Sequence, residues 1–448
     1  MADVVILGAG LTGLSAAYHL ERQGFYDYKL FEKDTTIGGL CRSVQQDGFT
    51  FDYTGHLLHI NDPYFRSFIE TIAGLEQFNT IHRRSYVYSH ETYTDYPYQV
   101  NLYGLPAEVI AECIEGFVQR KKNRAQQPTF EQWVLSNFGA GFAKHFFFPY
   151  QEKIFAYDVK KLSASWTGRF VPQTSLKEML MGAVQAKPAA AIGYNAQFFY
   201  PKTGGIEYWI KKLHEQLELP VYTGYTAIEI NTIRKVVRFA NGHEEPYKQL
   251  ITTLPLDFLL THLQEKTHTS LFKASQRLRC NSVINFNLGV SRPDLSEKHW
   301  IYFPEKEYPF YRLGFPHNFA ESMAPAGCSS LYGEFSHIGQ SPETVHSVLN
   351  AARAATKKLF NLQEHEIATE KIITIPHAYV IYDHWRDNNI DKLQAQLNQY
   401  GIYSVGRYGA WKYASMQEGV LDGKQIAETV LANVTAHQIT TPSHEAAL

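Results

Sequence analysis

The chain begins with a short apolar run, DVVIL, then turns through glycines and resumes with apolar residues at helical spacing (Leu14, Ala17, Tyr18). That order predicts strand, tight turn and helix, and YKLFEKD follows as a second strand ending in an acidic residue. From about residue 80 to 190 the pattern is helical. PAEVIAECIEGFVQRK puts Val109, Ile110, Cys113, Phe117 and Val118 on one face, with Pro106 suited to a first turn. TFEQWVLSNFG offers Thr129 as a cap, Gln132 three residues on, and Gly139 as a stop. Strand patterns return in YPKTGGIEYW, VYTGYTAIEIN, VVRFANGHEE and QLITTLP, with Asn241-Gly242 as a hairpin signal. SVINFNLGV alternates Ile284, Phe286, Leu288 and Val290 against Val283, Asn285, Asn287 and Gly289, the pattern of a half-buried strand. YSVGRYG predicts a strand running into a turn, then a helix from about Met416 to Ala432, with a flexible polar tail from Thr435. No internal repeat interrupts this order.

Composition narrows the field. At 448 residues the chain is too long for one small core. A net charge of −2 argues against a general nucleic-acid or membrane-surface binder, and the one basic cluster, RKKNR (120–124), suits a solvated helix end. Four scattered cysteines (Cys41, Cys113, Cys280, Cys328) form neither a disulfide framework nor a CxxC site, which fits a reducing cytosol. His56 and His59 lie three apart without a third ligand nearby, so no metal is expected. No apolar run approaches the length of a membrane span, and no basic region precedes the first apolar stretch, so neither a span nor a secretory signal is expected. Aromatics at 14% suit a protein that holds flat, partly polar ligands, or equally a Tyr-rich core.

The first glycine turn carries chemistry. Gly8, Gly10 and Gly13 form GxGxxG after a strand and at the head of a helix. The first permits the turn, the second lets a pyrophosphate approach the backbone, and the third lets helix and strand pack closely. Glu32 ends the second strand, where a carboxylate can accept hydrogen bonds from ribose hydroxyls. GGLCRS (38–43) follows directly, where a nicotinamide domain would start its next helix. The pair Gly38-Gly39 with Arg42 suits a backbone lying along an extended, charged cofactor.

DVVILGAGLTGLSAAYHLE…FEKDTTIGGLCRS resembles the N-terminus of the amine oxidase and protoporphyrinogen oxidase-like flavoproteins. By that resemblance FAD lies extended, and GRYGAWKYASMQEG (406–419) returns to the flavin. Further stretches resemble the UDP-galactopyranose mutases. GFTFDYTGH is similar to their flavin-side loop, giving Gly55 and His56. YPYQVNLYGLP is similar to the segment with uracil contacts, giving Tyr96, Tyr98 and Gln99. FFFPYQEKIFAYD matches the turn whose aromatic stacks on the base, here Phe155. WIYFPEKEYPFYR gives Trp300, Tyr302 and the diphosphate arginine Arg312; between Tyr311 and Leu313 that arginine needs a partner, and an internal carboxylate is the alternative to the substrate's diphosphate. GYNAQFFYPKTGG gives Asn195. Tyr379 and Tyr413 match tyrosines that contact the diphosphate. Ile228, Gly406, Arg407, Ser415 and Met416 join the cofactor-binding set. Three departures stand out: Thr54-Gly55 replaces paired glycines, Phe170 (beside Arg169) stands where a second diphosphate arginine is expected, and the C-terminal motif runs almost directly from Tyr413 to Ser415-Met416.

The resemblance implies an α/β fold: a Rossmann-like FAD-binding domain (1–75, 196–270 and 396–434), a mostly helical insertion (76–195), a mixed-sheet substrate domain (271–395) and a tail (435–448). It implies a cytoplasmic, FAD-dependent isomerase that interconverts pyranose and furanose forms of a UDP-sugar through a reduced flavin N5–sugar adduct, with NADPH or NADH as reductant, in polysaccharide biosynthesis. The small-molecule partner is a nucleotide sugar; nothing calls for nucleic acid, and a homo-oligomer stays open. Covalent catalysis by the cofactor needs no side-chain base, and none is evident as a triad or carboxylate pair. The alternatives are an FAD-dependent oxidoreductase of the amine oxidase type and a flavin-binding protein without catalysis. The purified protein is expected to be yellow and to release FAD on heating; a colourless protein that takes up only NAD would contradict the cofactor assignment.

Overall fold

The computed structural model describes residues 2–122, 125–168, 170–185, 196–264 and 269–440, the last six of these as helical backbone only. Its first sheet is built on five parallel strands in the order Ile402–Ser404, Glu244–Thr252, Ala2–Leu7, Tyr28–Phe31 and Val221–Tyr222. Ala227–Asn231 and Val236–Phe239 add an antiparallel meander to Glu244–Thr252, closed at the expected Asn-Gly turn, where Gly242 has φ +85°. A parallel strand needs cover on both faces, which is why DVVIL reads as continuous rather than alternating apolar residues. Val4 and Ile6 pack with the helices Leu11–Arg22 and Glu207–His214, while Val5 and Leu7 face Leu256–Thr261 and His384–Gln399.

The second sheet runs Ile367–Ile375, Ser282–Val290, Ser329–His337, Arg312–Gly314, Trp300–Tyr302, Ser85–Ser89 and Thr92–Asp95, antiparallel except between Trp300–Tyr302 and Ser85–Ser89. The stretch expected to be mostly helical from residue 76 therefore begins by lending two strands to this sheet. It also supplies Phe78–His82, which pairs with Gln197–Pro201, and turns helical from Ala107. In Ala107–Gln119, Val109, Cys113 and Phe117 are buried as expected, but Val118 is exposed because the helix ends one residue later, ahead of the basic cluster. Thr129 and Gln132 form the expected capping box, and Gly139, at φ +81°, stands at the break after that helix.

Ser282–Val290 corrects one expectation: it is buried on both faces. Ile284, Phe286, Leu288 and Val290 pack with Leu349 and Ala352 of the helix Pro342–Leu359. The opposite face is covered by the hairpin Ser43–Gln46/Phe49–Asp52: Asn285 Nδ2 donates to Asp52 O, and a Cβ at Gly289 would lie 2.7 Å from the Phe49 ring. Alternating polar residues mark a face toward another layer of protein here, not toward water. The last helix is also longer than expected, Met416–Thr440; 441–448 lie outside the described residues. It crosses Leu11–Arg22 closely enough that a Cβ on Gly423 would lie 2.6 Å from Ser15, whose hydroxyl donates to Val420 O.

The hairpin is anchored by Asp52, which accepts hydrogen bonds from the Ser43 hydroxyl (2.6 Å), the Tyr200 hydroxyl (2.6 Å) and the Ile206 backbone N–H (3.2 Å). Burial pushes its carboxyl up to about 6, with these donors opposing the shift. The folded state thus holds this proton to higher pH than the unfolded chain, so its contribution to stability declines as pH rises through that window. A rise of two units corresponds to a loss of about 3 kcal/mol between pH ~4 and pH ~6. Urea midpoints measured across this range should fall less steeply with pH for Asp52→Asn than for the wild type.

Candidate active site

Gly8, at φ +96°, turns the chain out of Ala2–Leu7, and Gly10 begins the next helix in extended conformation with no side chain capping the helical N–H groups. A Cβ on Gly13 would lie 1.9 Å from Gly8 O, so the third glycine is fixed by packing. Gly10 is different: a Cβ there would meet only Gly39 Cα, at 3.8 Å. Gly38 N donates to Ala9 O at 2.8 Å, bringing the two glycine turns side by side. The Glu32 carboxylate, at the end of the neighbouring strand, accepts from Ala9 N (2.8 Å) and Asp34 N (3.0 Å) and is thereby held against the turn. Uncapped helical N–H groups, two backbones stripped of side chains and a fixed carboxylate suit the pyrophosphate and ribose of FAD. Arg42, by contrast, braces its own loop: Nε donates to Gly39 O, and Nη1 to Asp34 and Thr36. Ile228 is more than one-third exposed on the meander, a short way along the chain from Tyr225, whose N–H donates to Glu32 O.

The C-terminal segment meets this turn from the other side. Gly406 has φ +78°, and a Cβ there would lie 2.8 Å from Thr12 Oγ1. Arg407 is enclosed by the rings of Tyr379, Tyr408 and Tyr413 at 5.7–5.9 Å. Its Nη1 donates to Ala414 O and its Nη2 to Ala378 O, its Nε has no partner, and no carboxylate pairs with it among the described residues. Burial, then the nearby Arg407 and more weakly Arg312, hold His56 down to about 4, so its imidazole is neutral at physiological pH. Ser415 caps the last helix: its hydroxyl accepts from Glu418 N and its N–H donates to the Glu418 carboxylate; Met416 is buried in the core beside Leu11–Arg22. Both residues, expected at the cofactor, have structural tasks that fix where the helix begins.

Arg312 comes from the second sheet, and cross-strand register explains its surroundings. Asn285 pairs with Glu334, Glu334 with Arg312, and Arg312 with Tyr302, so one row of side chains crosses four strands. The adjacent row is Asn287, Tyr332, Gly314 and Trp300. Arg312 Nη2 donates to both Glu334 oxygens at 2.8 Å and Nε to one at 3.2 Å; Glu334 is fully buried, while the arginine side chain keeps 19% exposure. Of the two partners considered for Arg312, the internal carboxylate meets it, and only Nη1 is left without a partner among the described residues. The Tyr332 ring lies where a Cβ on Gly314 or Gly55 would be. Tyr302 contacts Tyr96 and Tyr150 at 5.1 and 5.3 Å.

Tyr413 lies among Phe155 (6.1 Å, near-parallel), Trp166, Phe170, Tyr379 and Tyr382. Phe155 is buried in this wall, with one face toward Tyr413 and edge contacts to Trp166 and Tyr379, and the ring of Phe170 meets Tyr413 edge-on in the same wall. Tyr98 and Gln99 also depart from expectation. Residues 98–100 form a 3-10 turn in which Tyr98 is buried against Phe142 and Phe146, and Gln99 donates to Pro172 O. Asn195 and Arg169 lie outside the described residues. The sequence reading missed Glu334, Tyr332 and Tyr150. A lone acid in the apolar run SSLYGEFSH needs a cation as much as Arg312 needs an anion, and that was the available signal.

If the gap at Gly10 exists for a ligand, Gly10→Ala should leave the melting temperature of the apoprotein unchanged yet weaken FAD binding by roughly tenfold or more. Gly13→Ala should destabilise the apoprotein itself. Flavin titration and thermal unfolding of both variants check the distinction.

Among the described residues no helix is long and apolar enough to cross a membrane, and no group of three candidate ligands could hold a metal. The description of the matching family model is flavin containing amine oxidoreductase, over residues 11–431. Residues of the chain are 35% identical over 92 positions to 4,4'-diapophytoene desaturase of Staphylococcus aureus (strain bovine RF122 / ET3-1), a stretch spanning 20% of this chain and 18% of that enzyme. The structure superposes on reduced UDP-galactopyranose mutase with a TM-score of 0.91 and 28% identity, covering 98% of this chain and 95% of that one. It also superposes on a putative protoporphyrinogen oxidase from Exiguobacterium sp. 255-15 with a TM-score of 0.76 and 18% identity, covering 96% and 98%. With a glycine turn shaped for a flavin dinucleotide and a match over nearly its whole length, the chain belongs to the flavin-containing amine oxidoreductase family.

Proposed function

We propose that the protein is an FAD-dependent nucleotide-sugar mutase, interconverting ring forms of a nucleotide-linked sugar. The observation that carries this reading is the superposition, along almost the full length of both chains, on UDP-galactopyranose mutase. The site residues fit it. Gly10, Gly39 and Glu32 would hold the cofactor's pyrophosphate and ribose; Gly406 and Arg407 would hold its flavin end. When bound and reduced, FAD supplies the nucleophile for the sugar's anomeric carbon. The chain's own task is to hold the departing nucleoside diphosphate: Arg312 through Nη1, with Tyr302, Tyr379 and Tyr413 around it. Such charge-assisted contacts strengthen as the leaving group gains charge. His56, kept neutral, adds no positive charge and can accept or donate one hydrogen bond.

A specific observation favours a second reading, a flavin oxidoreductase acting on an apolar or weakly charged substrate. Arg312 is already compensated by Glu334, and the wall of Phe155, Trp166, Phe170 and Tyr413 is aromatic.

The two readings part on redox bookkeeping. Dithionite-reduced protein, incubated anaerobically with UDP-, GDP- and dTDP-hexoses, should yield a product with an altered ring form by NMR; oxidised protein should not, and no reductant should be consumed stoichiometrically. Substrate-driven oxygen uptake, or product formed in step with reductant, would replace the mutase by the oxidoreductase.

A further inference from the structure

In the Arg312–Glu334 pair a fully buried carboxylate stands directly behind a cation that keeps partial exposure. Glu334 has no solvent exposure and no second cation, since no other ion pair includes it among the described residues. Its strand neighbours on the same row, Asn285 and Arg312, flank it, and Tyr311 N donates to its backbone carbonyl. Phe170, in the segment from which a second cation is expected, packs against Tyr413. Arg407 is on the C-terminal side, tied to the carbonyls of Ala378 and Ala414. An anion that reaches Arg312 by Nη1 therefore meets a guanidinium whose charge is largely answered from behind.

We propose that Glu334 sets the charge selectivity of the substrate face. It turns Arg312 from a point cation into a directional hydrogen-bond donor, so that the site discriminates ligands by geometry and takes up additional negative charge with little gain. The inference rests on the reading of Arg312 as the residue that faces the substrate. Its size follows from distance. An anion about 4 Å from the guanidinium carbon and about 6 Å from the Glu334 carboxylate loses roughly two-thirds of its attraction to the repulsion, since both scale inversely with separation. The loss of Arg312 alone should be harmful mainly because it leaves Glu334 unanswered beside the ligand, and removal of both charges should be far milder.

The test uses the FAD-loaded protein and three probes, uridine, UDP and inorganic pyrophosphate, titrated calorimetrically at low and high salt. Glu334→Gln should bind pyrophosphate and UDP about tenfold or more tightly than the wild type, with a steeper salt dependence, while uridine changes by less than about twofold. Arg312→Gln should bind both anions more weakly, and Arg312→Gln/Glu334→Gln should return to within about threefold of the wild type. If Glu334→Gln keeps its fold and flavin but gains no affinity for pyrophosphate, or if the double variant is as weak as Arg312→Gln, Glu334 is a brace for the sheet and the proposal falls. Should Glu334→Gln fail to fold, the double variant decides alone, because a neutral amide pair replaces the ion pair and leaves no buried charge. A wild type that ignores uridine and UDP, with pyrophosphate affinity still gained in Glu334→Gln, would support the charge role and remove the nucleotide-sugar reading.

Discussion

The interior of the protein has no water to solvate a carboxylate, and Glu334, in Ser329–His337, is fully buried. Its guanidinium partner is the condition under which the strand can be there. Removing one member of a buried pair costs about 3–5 kcal/mol, because the survivor is left uncompensated. The pair also joins Arg312–Gly314 to Ser329–His337 at a unique register: a one-residue slip would turn Arg312 into the apolar layer opposite Gly333 and turn Leu313 out of it. Tyr302 and Tyr332 take their places on the site face from that same register.

The two arginines of the site are managed in opposite ways. Arg312 is answered by a full charge, whereas Arg407 is satisfied by two carbonyls and surrounded by rings. Neutral amide oxygens stabilise a guanidinium without cancelling its field, so the C-terminal side of the site stays electropositive while the sheet side does not. Burial first, and that field second, keep the His56 imidazole neutral. An electron-rich ring system would be favoured on one side, and a ligand chosen by shape on the other.

Much of this was legible in the chain. The glycine turn, the capping box at Thr129 and the Asn-Gly hairpin are local: each is decided by residues a few positions apart, so spacing alone reveals them. Glu32 is 23 residues from Ala9 and was found through the fixed order of strand, turn, helix and strand. The resemblance of scattered segments carried further, to the family and the fold. What it could not carry was partnership across strands. Arg312 and Glu334 are separated by 22 residues, and only the register makes them neighbours. Tyr98, assigned by resemblance, turns out to be buried against Phe142 and Phe146, and nothing in its own segment foretells those partners. The alternation in SVINFNLGV was read correctly as two faces, but polarity alone did not say that the second layer was protein.

The packing of Met416–Thr440 onto Leu11–Arg22 carries a consequence for biosynthesis. Gly423 approaches Ser15, and Gly406 approaches Thr12, so the dinucleotide turn is completed by residues that are synthesised long after it. The parallel strands beside it, Glu244–Thr252 and Ile402–Ser404, are likewise supplied late. While the ribosome is still adding the middle of the chain, the first glycine turn has neither its sheet neighbours nor its helical cover. The emerging strand Ala2–Leu7 and helix Leu11–Arg22 therefore wait with their apolar faces unprotected until those later segments have left the ribosome.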